Sequence, residues 1–383
     1  MKKGWEIKKL DDVCEVEYGT RVVQKKDGGT VYPVYGGGGA TFFMDTFNRE
    51  NRLVVSRFAM SEQCTRFVSG KFFLNDSGLT LKTKDENILT SDFLSLQMLF
   101  LNDDIYSLGR GTAQKNLDVT AFRNLKIAYP KSLCEQHRIV SILDECFTAI
   151  DKAKANAEQN LKNAKELFDC VLDRILYDKK IKTKKLGEVC KNVEYGTSSK
   201  AQSQGSLPVL RMGNIQNRRF VWESLVYSDN EADNKQYLLK YNDVLFNRTN
   251  SPELVGKTAI YKGERPAIFA GYLIRIHRKE ELLDADYLNY YLNSKMAFEY
   301  GKTVVISSVN QANINGTKLK TYPIPLPTLQ EQQSIVRQLD ALRAETQKLE
   351  TVYQKKITDL DELKKSILQK AFAGELTDKI IVA

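Results

Sequence analysis

LCEQHRIVSILDE, residues 133–145, returns as LQEQQSIVRQLDA, residues 329–341, with seven of thirteen positions identical and no gap. The copies lie 196 residues apart, and each follows a proline, in IAYP (127–130) and IPLP (324–327), which marks a helix start. From Leu143, apolar or small residues recur at Cys146, Ile150, Ala153, Ala157, Ala164, Leu167 and Val171, with Asn160 interrupting. In the second copy they are Leu339, Leu342, Thr346, Leu349, Tyr353, Leu360, Leu363 and Ile367, with Lys356 at the interruption. Spacing of three and four predicts long helices whose seams pack on another helix. The first, over about residues 135–176, would span roughly 60 Å at ~1.5 Å per residue. Gly374 in AFAGELT stops the second.

Working outward, the duplication extends through the chain. KKLDDVCEVEYGT (8–20) matches KKLGEVCKNVEYGT (184–197), with one residue inserted. LVVSRFAMSEQ (53–63) is loosely echoed by VLFNRTNSPEL (244–254), Arg57 answering Arg248, and TAQKNL (112–117) by VNQANI (309–314). The landmarks divide the chain into a block at 1–131, a helix at 132–180, a second block at 181–327 and a second helix at 328–383. Two such units about a two-fold axis would set the helices antiparallel with a block at each end. Alternatively, each helix packs on its own block as an ordinary amphipathic stripe. The blocks read as α/β (α+β): strands in VYPVYGGGGATFF, RLVVSRFA, KFFLNDSGLTLKT, SLPVLRMGNI, DVLFNRT, KTAIYKG and PAIFAGYLIRIHR, helices in SDFLSLQMLFLND and DADYLNYYLNSKMAFEYG.

With 383 residues, 42% hydrophobic and 27% charged, the chain suits two or more self-sufficient domains. No run of eighteen apolar residues occurs, and MKKGWEIKKL carries no signal-peptide stretch, so a cytoplasmic protein without membrane contact is expected. The six cysteines form no C-x-x-C pair and are expected to be reduced, buried thiols. The net charge of +9 is concentrated in the two blocks, which carry +3 and +7, against −1 and 0 in the helices. Two basic blocks fit one polyanion contacted twice.

Catalytic patterns fail on inspection. SPELVGKT (251–258) resembles a phosphate-binding loop, but Ser251 replaces the first glycine and KTAIY reads as a strand where a helix is required. GGGG (36–39) lacks the spacing of a nucleotide loop. The motifs of an adenine methyltransferase are missing, and Asp76 in NDSGLTLKTK reads as a turn residue better than as a nuclease carboxylate. Two histidines, His137 and His277, do not form a metal or nucleophilic site. No cofactor or metal of its own is expected.

What remains reads as a binder. Arg can bridge guanine O6 and N7, and Asn or Gln adenine N6 and N7, so loops rich in these can read base edges. In the first block the candidates are Gln24, Lys25, Lys26, Arg57, Arg66, Arg110, Gln114, Lys115 and Asn116; in the second, Asn214, Gln216, Asn217, Arg218, Arg219, Arg248, Asn250, Asn310, Gln311 and Asn313. Lysines suit phosphates better than bases. The same residue types also make good turns and surfaces.

Two blocks opening K-x-L-x-[DE]-V with a later Y-G-T, two copies of E-Q-x-x-I-V-x-x-L-D (135–144 and 331–340) and a terminal AFAGELT together resemble the specificity subunit of type I restriction-modification enzymes, over essentially the whole chain. The resemblance implies two target recognition domains reading the halves of a split double-stranded DNA target, with the helices as spacer. It also implies two modification subunits that bind S-adenosylmethionine, and restriction subunits that use ATP and magnesium for translocation and cleavage. Half-sites on one face of B-DNA lie about one turn, ~34 Å, apart. Unequal blocks imply an asymmetric target. His137 stands where the second copy has Gln333, so the two docking segments would not match contact by contact. The competing readings are a coiled-coil protein adaptor, which would show no base preference, and a P-loop ATPase, which would bind ATP.

Overall fold

A computed structural model describes residues 4–178, 180–252, 254–308 and 311–376. It divides into two compact units, Met1–Glu158 with Lys355–Ala383, and Gln159–Gln354. The long helices are Leu133–Leu176 and Leu329–Phe372, 44 residues each, and both units take a portion of both helices.

In the first unit a six-stranded sheet runs in the order Cys14–Tyr18, Gly78–Thr83, Arg49–Ser56, Thr65–Leu74, Tyr32–Tyr35, Ala40–Met44. Neighbours are antiparallel except for Tyr32–Tyr35 beside Thr65–Leu74. Leu10, Leu79, Phe93 and Phe122 form its core with Ile139, Leu143 and Ile150 of one long helix and Leu368 and Ala371 of the other. Phe372 sits with its ring 5.4 Å from Phe93 and 5.0 Å from Phe100, so the terminal AF motif anchors a helix end on the sheet domain. Lys154 pairs with Asp361 at 2.6 Å and Asp151 with Lys364 at 2.9 Å. Three residues back on one helix meet three forward on the other, which makes the pair antiparallel.

The second unit repeats this topology with one break. Cys190–Tyr195, Leu273–Arg278, Val244–Asn247 and Thr258–Ile260 form one sheet; Val226–Ser228, Leu207–Leu210 and Ile268–Phe269 form another, its last two strands parallel. The single strand Thr65–Leu74 thus corresponds to two pieces, Thr258–Ile260 and Ile268–Phe269, parted by YKGERPA, which carries Gly263 at φ +82° and a proline. Its core joins Val244, Phe246, Ile274 and Tyr291 to Phe168 and Leu172 of one long helix and Leu339 of the other. Within each unit, portions of both long helices therefore pack on the sheet domain and share its core.

The glutamine of the repeated Glu-Gln has the same role in both copies. Gln136 is fully buried; its Oε1 accepts the N–H of Thr90 at 2.9 Å, and its Nε2 donates to the carbonyls of Ile88 and Pro130, both at 2.8 Å. Gln332, equally buried, accepts from Asp284 N at 2.9 Å and donates to Leu282 O at 2.8 Å and Pro327 O at 2.9 Å. One amide thus satisfies three backbone groups where strand, short helix and long helix meet.

Three expectations are corrected. The helix expected across DADYLNYYLNSKMAFEYG is two, Ala285–Leu292 and Lys295–Val304, because Ser294 caps the second and the Asn293 amide leaves the helix to bond both backbone groups of Thr258. The buried line of the first long helix runs Leu143, Phe147, Ile150, Ala157, Ala164, Phe168, Leu172, drifting off the heptad so that Leu167 is exposed, as are Leu349 and Leu363 in the second. Off that line, Cys134 and Cys170 are also exposed; Cys14, Cys64 and Cys190 are buried.

Candidate nucleic-acid interface

The Tyr-Gly-Thr segment ends an edge strand in each unit, and its glycine is required. A Cβ on Gly19 would lie 1.8 Å from the carbonyl oxygen of Asn75, and one on Gly196 2.2 Å from that of Phe269. This close approach lets Thr20 N donate to Leu74 O at 2.9 Å and Thr197 N to Phe269 O at 2.9 Å. Tyr18 and Tyr195 just before are left half-exposed.

An arginine covers each tyrosine. Arg57 lies at the end of Arg49–Ser56, its guanidinium 5.1 Å from the Tyr18 ring and 4.5 Å from Phe58. Its N–H donates to Ser77 O at 2.8 Å, its carbonyl accepts from Leu117 N at 2.8 Å, and Nη1 points at Asp76 O at 3.4 Å. Arg248 follows Val244–Asn247, its guanidinium 5.0 Å from Tyr195. Its N–H donates to Tyr272 O at 3.0 Å, its carbonyl accepts from Ile314 N at 2.8 Å, and Nη1 donates to Gly271 O at 3.2 Å. The Tyr195 hydroxyl accepts from Gly316 N at 2.7 Å. Both arginines are partly exposed, and each guanidinium is oriented by a ring face.

Around Arg57 the fold gathers several first-block candidates. The hairpin of Gly109–Arg110 with Asn116–Leu117 docks there: Asn116 Oδ1 accepts from Ala59 N at 3.2 Å and Lys115 O from Met60 N at 2.9 Å. The Lys115 ammonium lies 3.9 Å from the Tyr106 ring, Arg110 pairs with Asp118, and Gln114 is exposed at the hairpin tip. Arg66 donates to the carbonyls of Gly37 and Gln63, both at 3.3 Å, bracing the glycine run. Gln24, Lys25 and Lys26 are exposed on the turn Gln24–Asp27, and no hydrogen bond or ion pair among the described residues links them to this group.

The second-block candidates fall into two groups. Asn250 and Asn313 lie beside Arg248 on a small sheet of Thr249–Asn250, Gln311–Asn313 and Ile306–Ser308; Asn313 Nδ2 donates to Thr249 Oγ1 at 2.9 Å. Gln311 is placed there by its backbone, and Asn310 lies outside the described residues. The other group forms a hairpin, Ile215–Gln216 with Arg219–Phe220, turning through Asn217 and Arg218 at φ +48° and +65°. Asn214 is buried and its amide is fully used within the loop, accepting from Arg211 N and donating to Val221 O and Glu223 O. Arg218 stacks 4.7 Å over Phe168 and pairs with Asp169 on the long helix, and Arg343 donates to the Asn217 carbonyl. Gln216 and Arg219 remain exposed. The hairpin lines a cavity of about 940 Å³ with Asp169 and Arg343. SPELVGKT leads into the strand Thr258–Ile260, so the helix a phosphate loop needs does not follow it.

Sequence reading missed Tyr18, Tyr195, Phe58 and Tyr106, the rings under the cations. The doubled Y-G-T was the available signal for the first two.

Residues 2–162 and 178–359 match the family described as the type I restriction modification DNA specificity domain. The chain is 28% identical over 295 residues to the type I restriction enzyme StySPI specificity subunit of Salmonella potsdam, covering 73% of this chain and 63% of that protein, less than two thirds of its length. The fold matches a chain from a solved structure titled for complex assembly and conformational transition of the type I R-M system, with TM-score 0.76 at 18% identity over 98% of this chain and 99% of that one. It also matches the HsdS subunit from Thermoanaerobacter tengcongensis, with TM-score 0.57 at 18% identity over 98% of each. At these identities the structural matches speak for the fold.

Proposed function

Because the chain belongs to the type I restriction modification DNA specificity domain family, we propose that it is a noncatalytic, sequence-specific DNA-binding subunit. It reads an asymmetric, two-part double-stranded target and directs adenine methylation, and cleavage where restriction subunits are present, by its partners. The observation that carries this reading is the recurrence of a partly exposed arginine on an exposed tyrosine at the same place in both units, ringed by loops of unlike sequence. Like anchors with unlike readers are what two different half-targets on one polyanion require.

Two modification subunits are its proposed partners, docking on the helical segments, with restriction and translocase subunits joining them. S-adenosylmethionine, ATP and magnesium belong to those partners in this reading, and the complex works in the cytoplasm. The helical segments shared by the units set the gap between half-targets. Mapping methylated adenines genome-wide with and without this gene tests the proposal. A split motif that vanishes with the gene is the expected result; an unchanged methylation pattern would refute it. A protein adaptor predicts no base preference and no such motif.

A further inference from the structure

Arg57 and Arg248 are matched by backbone contacts as well as by their rings. The carbonyls that receive their N–H groups, of Ser77 and Tyr272, are each followed by the residue that accepts the glycine N–H of Tyr-Gly-Thr: Gly78 O from Gly19 at 3.2 Å and Leu273 O from Gly196 at 3.3 Å. The carbonyls of both arginines also accept from matching neighbours, Leu117 N and Ile314 N, while the side chains around this frame differ. Phe58 follows one arginine and Thr249 the other; a hairpin flanks the first and a three-stranded sheet the second.

A side chain that reads a base edge must change when the half-target changes, since each base pair shows its own donors and acceptors. Phosphate is the same at every step, so a group that grips it can stay constant. The guanidinium fork suits two phosphate oxygens, and stacking on a ring holds it ready. Among the described residues, Nη2 of neither arginine meets an acceptor, and Arg248 Nε is enclosed without one.

Resting on the DNA-reading function above, we propose that Arg57 and Arg248, each seated on the tyrosine of its Tyr-Gly-Thr segment, are sequence-neutral phosphate clamps, one per half-target. They fix the register from which the divergent loops read bases.

The test uses the chain in complex with its modification subunits and measures binding, against salt, to a duplex bearing the mapped target and to one lacking it. Arg57→Gln and Arg248→Gln should each weaken both duplexes by the same factor, reduce the slope of log K against log salt by about one, and leave the methylated motif unchanged. Arg→Lys at either position should restore the slope. Loss confined to one half-target, a relaxed methylation motif, or an unaltered slope would overturn the proposal. A wild-type complex that shows no preference between the duplexes would instead sink the DNA-reading function itself, before any variant is made.

Discussion

Gln332 accepts the backbone N–H of Asp284 at 2.9 Å, and Gln136 accepts that of Thr90 at the same distance. Asp284 and Thr90 are themselves N-caps of short helices, so one amide fixes where a short helix and a long helix both begin.

Gln136→Ala would strand one N–H and two carbonyls in a closed site, as would Gln332→Ala. Each should cost about 3 kcal/mol at roughly 1 kcal/mol per net bond, more where water cannot enter. Gln→Glu should be at least as damaging, because a carboxylate cannot donate to the two carbonyls. Denaturant unfolding checks the magnitude. Hydrogen exchange should place each effect in one unit, the first for Gln136 and the second for Gln332.

Gly19→Ala and Gly196→Ala would place a methyl within 1.8 Å and 2.2 Å of a backbone oxygen. The strand end must move, at a cost of about 2 kcal/mol or more. Tyr18 or Tyr195 would move with it, and DNA affinity should fall in parallel with the melting temperature. A stable variant with full affinity would contradict the role given to the segment.

Burial pushes the Cys14 and Cys190 thiols up to about 12 and Cys64 up to about 11. Near pH 8 these three should therefore resist alkylation of the native chain while exposed Cys134 and Cys170 react. Mass spectrometry of briefly labelled protein reads the order directly. All six should label once the chain is unfolded.

Arg275 is nearly buried and bonds Glu194 at 2.6 Å and Asp243 at 3.0 Å, with His277 2.9 Å from the same Glu194 oxygen. Burial alone would raise the Glu194 carboxyl, but hydrogen bonds from Arg275 and His277, with their charges, hold it below the usual glutamate range. A depressed acid stabilises the fold above its unfolded pKa and loses that contribution as pH falls through the folded value. The second unit should thus weaken between about pH 5 and pH 3, and Glu194→Gln should flatten that dependence while lowering stability at neutral pH. Thermal melts across this range decide it.

The doubled helix start and most strands were legible in the sequence because they rest on short-range chemistry: apolar periodicity, proline and glycine punctuation, and recurrence of the same words. The break at Asn293 was not, because the amide leaves its helix for Thr258, a partner distant in sequence. Nor was the drift from Leu167 to Phe168 as the inward residue, which depends on the sheet domain the helix wraps.

The candidate interface divides in the same way. Charge distribution and the repeated words determined that two basic blocks stand in tandem. Only tertiary structure decided which of their side chains remain available: it seated Arg57 and Arg248 on exposed tyrosines, used up the Asn214 amide inside its own loop, and turned Arg218 onto the long helix. The physical reason is that a polar side chain satisfies its hydrogen bonds with whatever the folded backbone brings within about 3 Å. That neighbour is set by chain topology, which residue type does not encode.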